Sequence, residues 1–117
     1  MTQMAEMSQQ MRQCIDMCNQ CHTMCEQAMN HCLQQGGQMA QRPVIMMLVD
    51  CAETCRMNAD MMMRQSDMAN QMSRMCAEVC RSCADMCGKM DDQMMRECAD
   101  MCRKCADMCQ QMAAMAR

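Results

Sequence analysis

The chain has no Phe, Tyr or Trp, only two leucines (Leu33 and Leu48), one proline and three glycines. Without aromatic rings no nucleobase has a stacking platform, and a net charge of −3 leaves no basic patch, which argues against a nucleic-acid partner. The longest apolar run, Val44 to Val49, is far too short to span a bilayer, so no membrane partner is expected. The N-terminus, MTQMAEMSQQMRQC, lacks the basic segment followed by an apolar one that marks a secretory signal. A reducing, cytoplasmic location is the expectation. Nor does any acid/base or nucleophile–base pair stand out, because the acidic residues fall on solvated faces and the two histidines have no convergent partners. An enzyme is not expected.

What is present is sulfur: 25 methionines and 15 cysteines in 117 residues. The cysteines repeat at steps of four, three and four: Cys14, Cys18, Cys21, Cys25, then Cys76, Cys80, Cys83, Cys87, then Cys98, Cys102, Cys105, Cys109. Those steps are the helical period, so each set forms a stripe along one helix face, at the a and d heptad positions where a bundle places Leu or Ile. An odd number of cysteines cannot pair completely within the chain, and cysteines one turn apart lack the geometry of a bridge. Disulfides across helices remain an alternative. The methionines read in two ways, as flexible packing in place of Leu and the aromatics, or as weak soft ligands near the ends of the core.

The few glycines and the single proline fall where helices should stop or start. The spacing predicts four helices, over about residues 3–34, 43–65, 68–89 and 92–115, within one domain spanning 1–117. Thr2 is the expected cap of the first, with Met4, Met7 and Met11 leading in register to the cysteines and on to Ala28 and Cys32; Gly36-Gly37 ends it. Pro43 opens the second, whose inward stripe is Val44, Leu48, Cys51, Cys55, Asn58 and Met62. Asn58 either sets the register or caps one end of a metal-binding region. Ser66-Asp67 and Asp91-Asp92 read as caps for the third and fourth helices, with Gly88 weakening the end of the third. Ala69 and Ser73 face inward on the third helix, Met95 and Met112 on the fourth. With Cys14 at d, the g positions carry Met17, Met24, Met86, Met101 and Met108, and the e positions Ala52, Ala77, Ala84, Ala99 and Ala106. Four apolar columns in seven is the stripe of an all-α, antiparallel up-down-up-down four-helix bundle with a cysteine-lined core.

A core of thiols points to soft metals. Buried thiols are neutral, and a metal must displace their protons because the ligand is the thiolate. Zinc in repeated four-thiolate sites would leave two negative charges per site in a low dielectric. One Cu(I) per thiolate leaves the column nearly neutral, and copper(I) is the ion that thiolate and thioether ligands select. A store of many Cu(I) ions, about one per cysteine, is the expected function. A zinc- or cadmium-sequestering bundle and a purely structural or redesigned Cys- and Met-packed bundle are the alternatives.

The repeated CxxxCxxCxxxC stripes, the Gly36-Gly37 turn and the segment Asp50-Cys51-Ala52-Glu53-x-Cys55 resemble the cysteine-rich four-helix-bundle copper storage proteins, over nearly the whole chain. The resemblance implies many Cu(I) ions in a preformed bundle, a homo-oligomer (tetramer or dimer), a cytosolic location for members without a signal peptide, and His or Met at the bundle ends as an access route. All fifteen cysteines, the twelve of the three stripes with Cys32, Cys51 and Cys55, are the expected ligands; Met11, Met62, Met112 and Asn58 are expected accessory ligands. A copper chaperone or small chelator is the expected exchange partner. The methionine content and missing aromatics depart from the family, as in a methionine-enriched or redesigned relative. His22 at e and His31 at g are expected to serve the surface or an interface.

Overall fold

Short polar segments, not the apolar pattern, set where the helices begin. In the computed structural model, which describes residues 7–115, helix α1 spans Gln9–Gln35. Ser8 caps it, its hydroxyl accepting a hydrogen bond from the Met11 N–H at 3.0 Å. The helix therefore starts later than residue 3, because a local cap interrupts the heptad pattern; Thr2, Met4 and Glu6 lie outside the described residues. Gly36 and Gly37 stop α1 with φ of +72° and +60°, conformations that strain any residue bearing a β-carbon. A 3-10 turn over Gly37–Ala40 follows, which the heptad pattern does not signal.

Helix α2 spans Arg42–Met63, with Pro43 in its first turn, where a missing N–H costs nothing. It ends two residues short of expectation through Gln65, which takes a positive φ of 52°. The Ser66 N–H bonds Met61 C=O and the Gln65 N–H bonds Met62 C=O, the paired bonds of a Schellman stop formed here without glycine. Helix α3 spans Ala69–Gly88. Its N-cap is Met68, not Ser66 or Asp67; the Ser66 hydroxyl instead accepts from the Met68 N–H, tightening the turn before the helix. Helix α4 spans Gln93–Ala114, and Asp92 caps it as expected, accepting from the Met95 N–H at 3.0 Å.

The four helices form a square ring in which each backbone packs on two neighbours, while the diagonal pair α2 and α4 meets only through side chains in the core. The result is a rod of 53 × 21 × 20 Å. Its seams differ. Between α3 and α4 lie Ala77, Ala84, Ala99, Ala106 and Ala113, all buried, and small side chains let helix axes approach closely. Gly88 belongs to this seam, since a β-carbon there would sit 2.8 Å from a guanidinium nitrogen of Arg103. The flanks of α1 and α4 instead carry the half-buried Met17, Met24, Met101 and Met108.

Every cysteine is buried, with no more than 1 % of its surface exposed, so cysteine lines the core from end to end. Val44, Leu48, Ala28, Met62, Met95, Met112, Asn58 and Ser73 complete it, as the heptad register requires. Most of the described methionines lie outside the core. Among the described ones only Met62, Met95 and Met112 are buried, and Met11 is half-buried.

Candidate metal centre

Each cysteine stripe delivers one sulfur per helical turn, and the three inward stripes, with Cys51 and Cys55 of α2, stack these sulfurs into a column. Neighbouring Sγ atoms lie 3.6–4.0 Å apart in an unbroken ladder. From one end it runs Cys109, Cys18, Cys105 and Cys55, passes Cys76 and Cys80 to Cys51, and continues through Cys102 to Cys21, Cys25 and Cys98. Cys83 and Cys87 form a further pair at 3.9 Å. All fifteen are free thiols. A metal about 2.3 Å from each sulfur spaces its ligands roughly 3.8–4.0 Å apart in tetrahedral or trigonal geometry, so these separations suit a metal without rearrangement.

Three sets of four sulfurs each fall within 4.8 Å: Cys18, Cys76, Cys105 and Cys109; Cys21, Cys55, Cys80 and Cys105; and Cys21, Cys25, Cys51 and Cys102. The sets share Cys105 and Cys21, so they are not three separate sites but one continuous ligand field. Sharing decides the charge. Three divalent ions against these ten thiolates leave four negative charges, in a core whose only buried polar side chains among the described residues are the neutral Asn58 and Ser73. Ten monovalent ions leave none.

The two ends of the column are built differently. At one, the Asn58 amide donates to Cys18 and Cys109 Sγ at 3.5 and 3.4 Å, and its carbonyl accepts from the Ser73 hydroxyl at 3.1 Å. Met62 and Met112 are buried in the same core. At the other end the Cys32 thiol donates to the Met95 thioether at 3.5 Å. Just outside it, His31 Nε2–H donates to the Asp92 carboxylate at 2.9 Å. The other histidine, His22, bonds the Ala52 carbonyl through Nδ1 at 2.7 Å and ties α1 to α2.

The thiols titrate as a coupled set. Hydrogen bonding with Cys102 first, then with Cys105, Cys25 and Cys51, holds the Cys21 thiol below the ordinary range. Cys105 is driven well above it by Cys109, Cys18, Cys21 and Cys55, with burial acting in the same direction. A thiolate at one position is thus steadied by neighbours that keep their protons, and each of those neighbours is harder to ionise. Cys32 stands apart from the ladder: burial raises it first, followed by the nearby Asp92 carboxylate and Cys98.

Of the positions singled out from sequence, the ten cysteines of the three sets converge, and Cys98 joins them through Cys25. Cys14, Cys32, Cys83 and Cys87 are buried in the same core but outside the four-sulfur sets. Asn58, which the sequence offered as either a register-setting residue or a cap on one end of a metal-binding region, is buried beside the ladder and bonded to Cys18, Cys109 and Ser73. Met95 and the His31–Asp92 pair were missed as features of the other end. Met95 was legible as an inward position; its contact with Cys32 depends on how α1 and α4 stagger.

Residues 7–114 match the family model described as copper storage protein. Among solved structures, a protein from Nitrosospira multiformis is 37% identical with a TM-score of 0.88, covering 93% of this chain and 99% of its own. The Cu(I)-bound copper storage protein of Bacillus subtilis is 30% identical with a TM-score of 0.85, over 90% of this chain and 99% of its own. The copper storage protein of Streptomyces lividans, solved with 10 copper equivalents and described as cytosolic, is 27% identical with a TM-score of 0.76, over 90% of this chain and 84% of its own. None of the curated proteins matches the sequence.

Proposed function

The chain belongs to the copper storage protein family, and we propose that it stores many Cu(I) ions along its thiol column, about one per cysteine at full load. The observation that carries this is the unbroken ladder of sulfurs 3.6–4.0 Å apart, with no buried cationic side chain among the described residues to balance divalent loading. The fifteen cysteines are the ligands. Asn58, Met62, Met112 and Met11 act as accessory groups at one end of a single domain.

The thiolates of Cys21 and Cys105 bridge neighbouring ions, because each belongs to two four-sulfur sets. Loading displaces the thiol protons, and the closed helical ring needs no refolding to accept the ions. Exchange with solution proceeds through a chaperone or small chelator able to hand over Cu(I) directly, since free Cu(I) would have to leave its ligands to cross the bundle wall. A cytoplasmic location fits thiols that must stay reduced; no helix among the described residues is long and apolar enough to cross a membrane. The half-buried Met17 and Met24 of α1, with Met101 and Met108 of α4, offer an apolar face for pairing into a dimer or tetramer.

The test is an anaerobic titration of reduced protein with Cu(I) against a chromophoric chelator, with proton release and circular dichroism followed in parallel. Tight uptake near one ion per cysteine, one proton per thiol and constant helicity are expected. Saturation after one or two ions, or equal competition by Zn²⁺, would overturn the storage role.

A further inference from the structure

The two kinds of sulfur in this protein are segregated radially. No cysteine exposes more than 1 % of its surface, whereas only three of the described methionines are buried. Met46, Met57, Met63, Met68, Met75 and Met115 are 43–54% exposed. Packing does not account for them, because side chains this exposed fill no core. Helix propensity does not either, since Gln, Lys or Glu would serve as well on a solvated face. They are spread over α2, the α2–α3 turn, α3 and the end of α4. A metal site needs several sulfurs converging on one point; a reaction at a single exposed sulfur does not.

We propose that these methionines form a sacrificial thioether layer, which consumes two-electron oxidants of the hydroperoxide and hypohalous-acid class before they reach the thiol column. The column needs such protection. Its sulfurs stand 3.6–4.0 Å apart, so a sulfenic acid formed on one has a thiol beside it ready to condense to a disulfide, which removes two ligands at once. With a hydroperoxide, the O–O bond breaks as one oxygen bonds to the thioether sulfur. The sulfur gives up two electrons and becomes a sulfoxide, and the other oxygen leaves as water, or as an alcohol from an organic peroxide. With hypochlorous acid the oxygen is transferred likewise, and chloride and a proton leave. A methionine sulfoxide reductase drawing on a dithiol restores the thioether, yielding water and a disulfide on the reductase side. Exposure sets the order. A sulfoxide at the six exposed positions projects into water and disturbs no packing, while the same change at the half-buried Met17 or Met101 would place a polar group against the core.

The experiment uses the reduced full-length chain, without metal and then loaded with Cu(I), titrated with hydrogen peroxide and separately with hypochlorous acid. After quenching, thiols are counted under denaturing conditions and sulfoxides are located by peptide mass spectrometry. In the parent protein, about the first six equivalents should appear as sulfoxide at the exposed positions, with all fifteen thiols retained. The six-fold Met→Leu variant at those positions should lose thiols from the first equivalents, and its helicity is checked beforehand by circular dichroism. A second set with Met→Gln serves if the leucines cause association. Equal thiol loss per equivalent in parent and variant overturns the proposal, as does sulfoxide that appears only after the thiols are gone. Because the metal-free arm gives the same readout, a failure here is separate from a failure to store copper.

Discussion

The column meets an amide at one end and a thioether at the other, and the two ends arrange their thiols differently. Beside Asn58, Cys18, Cys76, Cys105 and Cys109 converge within 4.8 Å. Toward Leu48 the last set is Cys21, Cys25, Cys51 and Cys102; beyond it no further set forms among the described residues, and the sulfurs meet in pairs, Cys25 with Cys98 at 4.0 Å and Cys83 with Cys87 at 3.9 Å. Helix α2 makes the difference. It supplies only Cys51 and Cys55 to the column, then Asn58 and Met62 on one side and Leu48 and Val44 on the other. A fully buried Leu48 fills a corner that a fourth thiol would otherwise take. Three thiol-rich helices build the container, and the thiol-poor one fixes its length.

The largest effect should come from breaking the middle. Cys21 and Cys105 each serve two of the three four-sulfur sets, so the double replacement Cys21→Ser with Cys105→Ser disrupts all of them. Tight Cu(I) capacity should then fall by about four ions, more than the two thiols removed, because bridging ligands are lost. The matching pair near Leu48, Cys32→Ser with Cys87→Ser, should cost about two ions, since neither residue is shared between sets. Equal losses in the two variants, measured by chelator competition, would mean that the sets do not act as one field.

The next contrast concerns stability without metal. Leu48→Ala leaves a cavity at a position with no solvent exposure and should cost about 3 kcal/mol in urea unfolding of the reduced protein. Asn58→Leu restores apolar volume but leaves the buried Ser73 hydroxyl without its acceptor, which should cost roughly 1–3 kcal/mol. Asn58→Leu combined with Ser73→Ala removes both partners and should recover most of that loss. If it does not, the amide contributes through its bonds to Cys18 and Cys109 instead.

Much of this was legible because the heptad is read off the side chains themselves. Once the cysteines are placed at a and d, Ala28, Leu48, Asn58, Ser73 and Met95 must face inward, and all are buried. The helix ends were harder where a side chain or an unusual backbone conformation overrode the pattern. Ser8 caps α1 inside a stretch whose methionines continue the register, and Gln65 adopts a conformation usually left to glycine. Sequence spacing also gives the face a cysteine occupies but not its height relative to other helices. For that reason the sharing of Cys21 and Cys105, and the meeting of Cys32 with Met95, emerge only from the stagger of the bundle.

The smallest effect distinguishes the ends by charge. At the Leu48 end, Asp92 caps α4 and also accepts from His31; the histidine hydrogen bond, followed by the Met95 N–H, holds its carboxyl below the ordinary range. A carboxylate whose folded value is depressed stabilises the fold fully above its unfolded value, near 3.9 for an aspartate, and that contribution disappears as pH falls through the lower folded value. Asp92→Asn retains a good capping side chain but loses the charge, so it should cost about 0.5–1 kcal/mol near pH 6. The gap between parent and variant in urea unfolding should then shrink as the pH falls below about 4 and close once the carboxylate is protonated in both states. Other carboxylates titrate over the same range, so only the difference between the two proteins is informative. A gap that stays constant down to low pH would assign the cost to cap geometry. In that case the charge would have no part in bracing the end of the bundle that Asn58 does not plug.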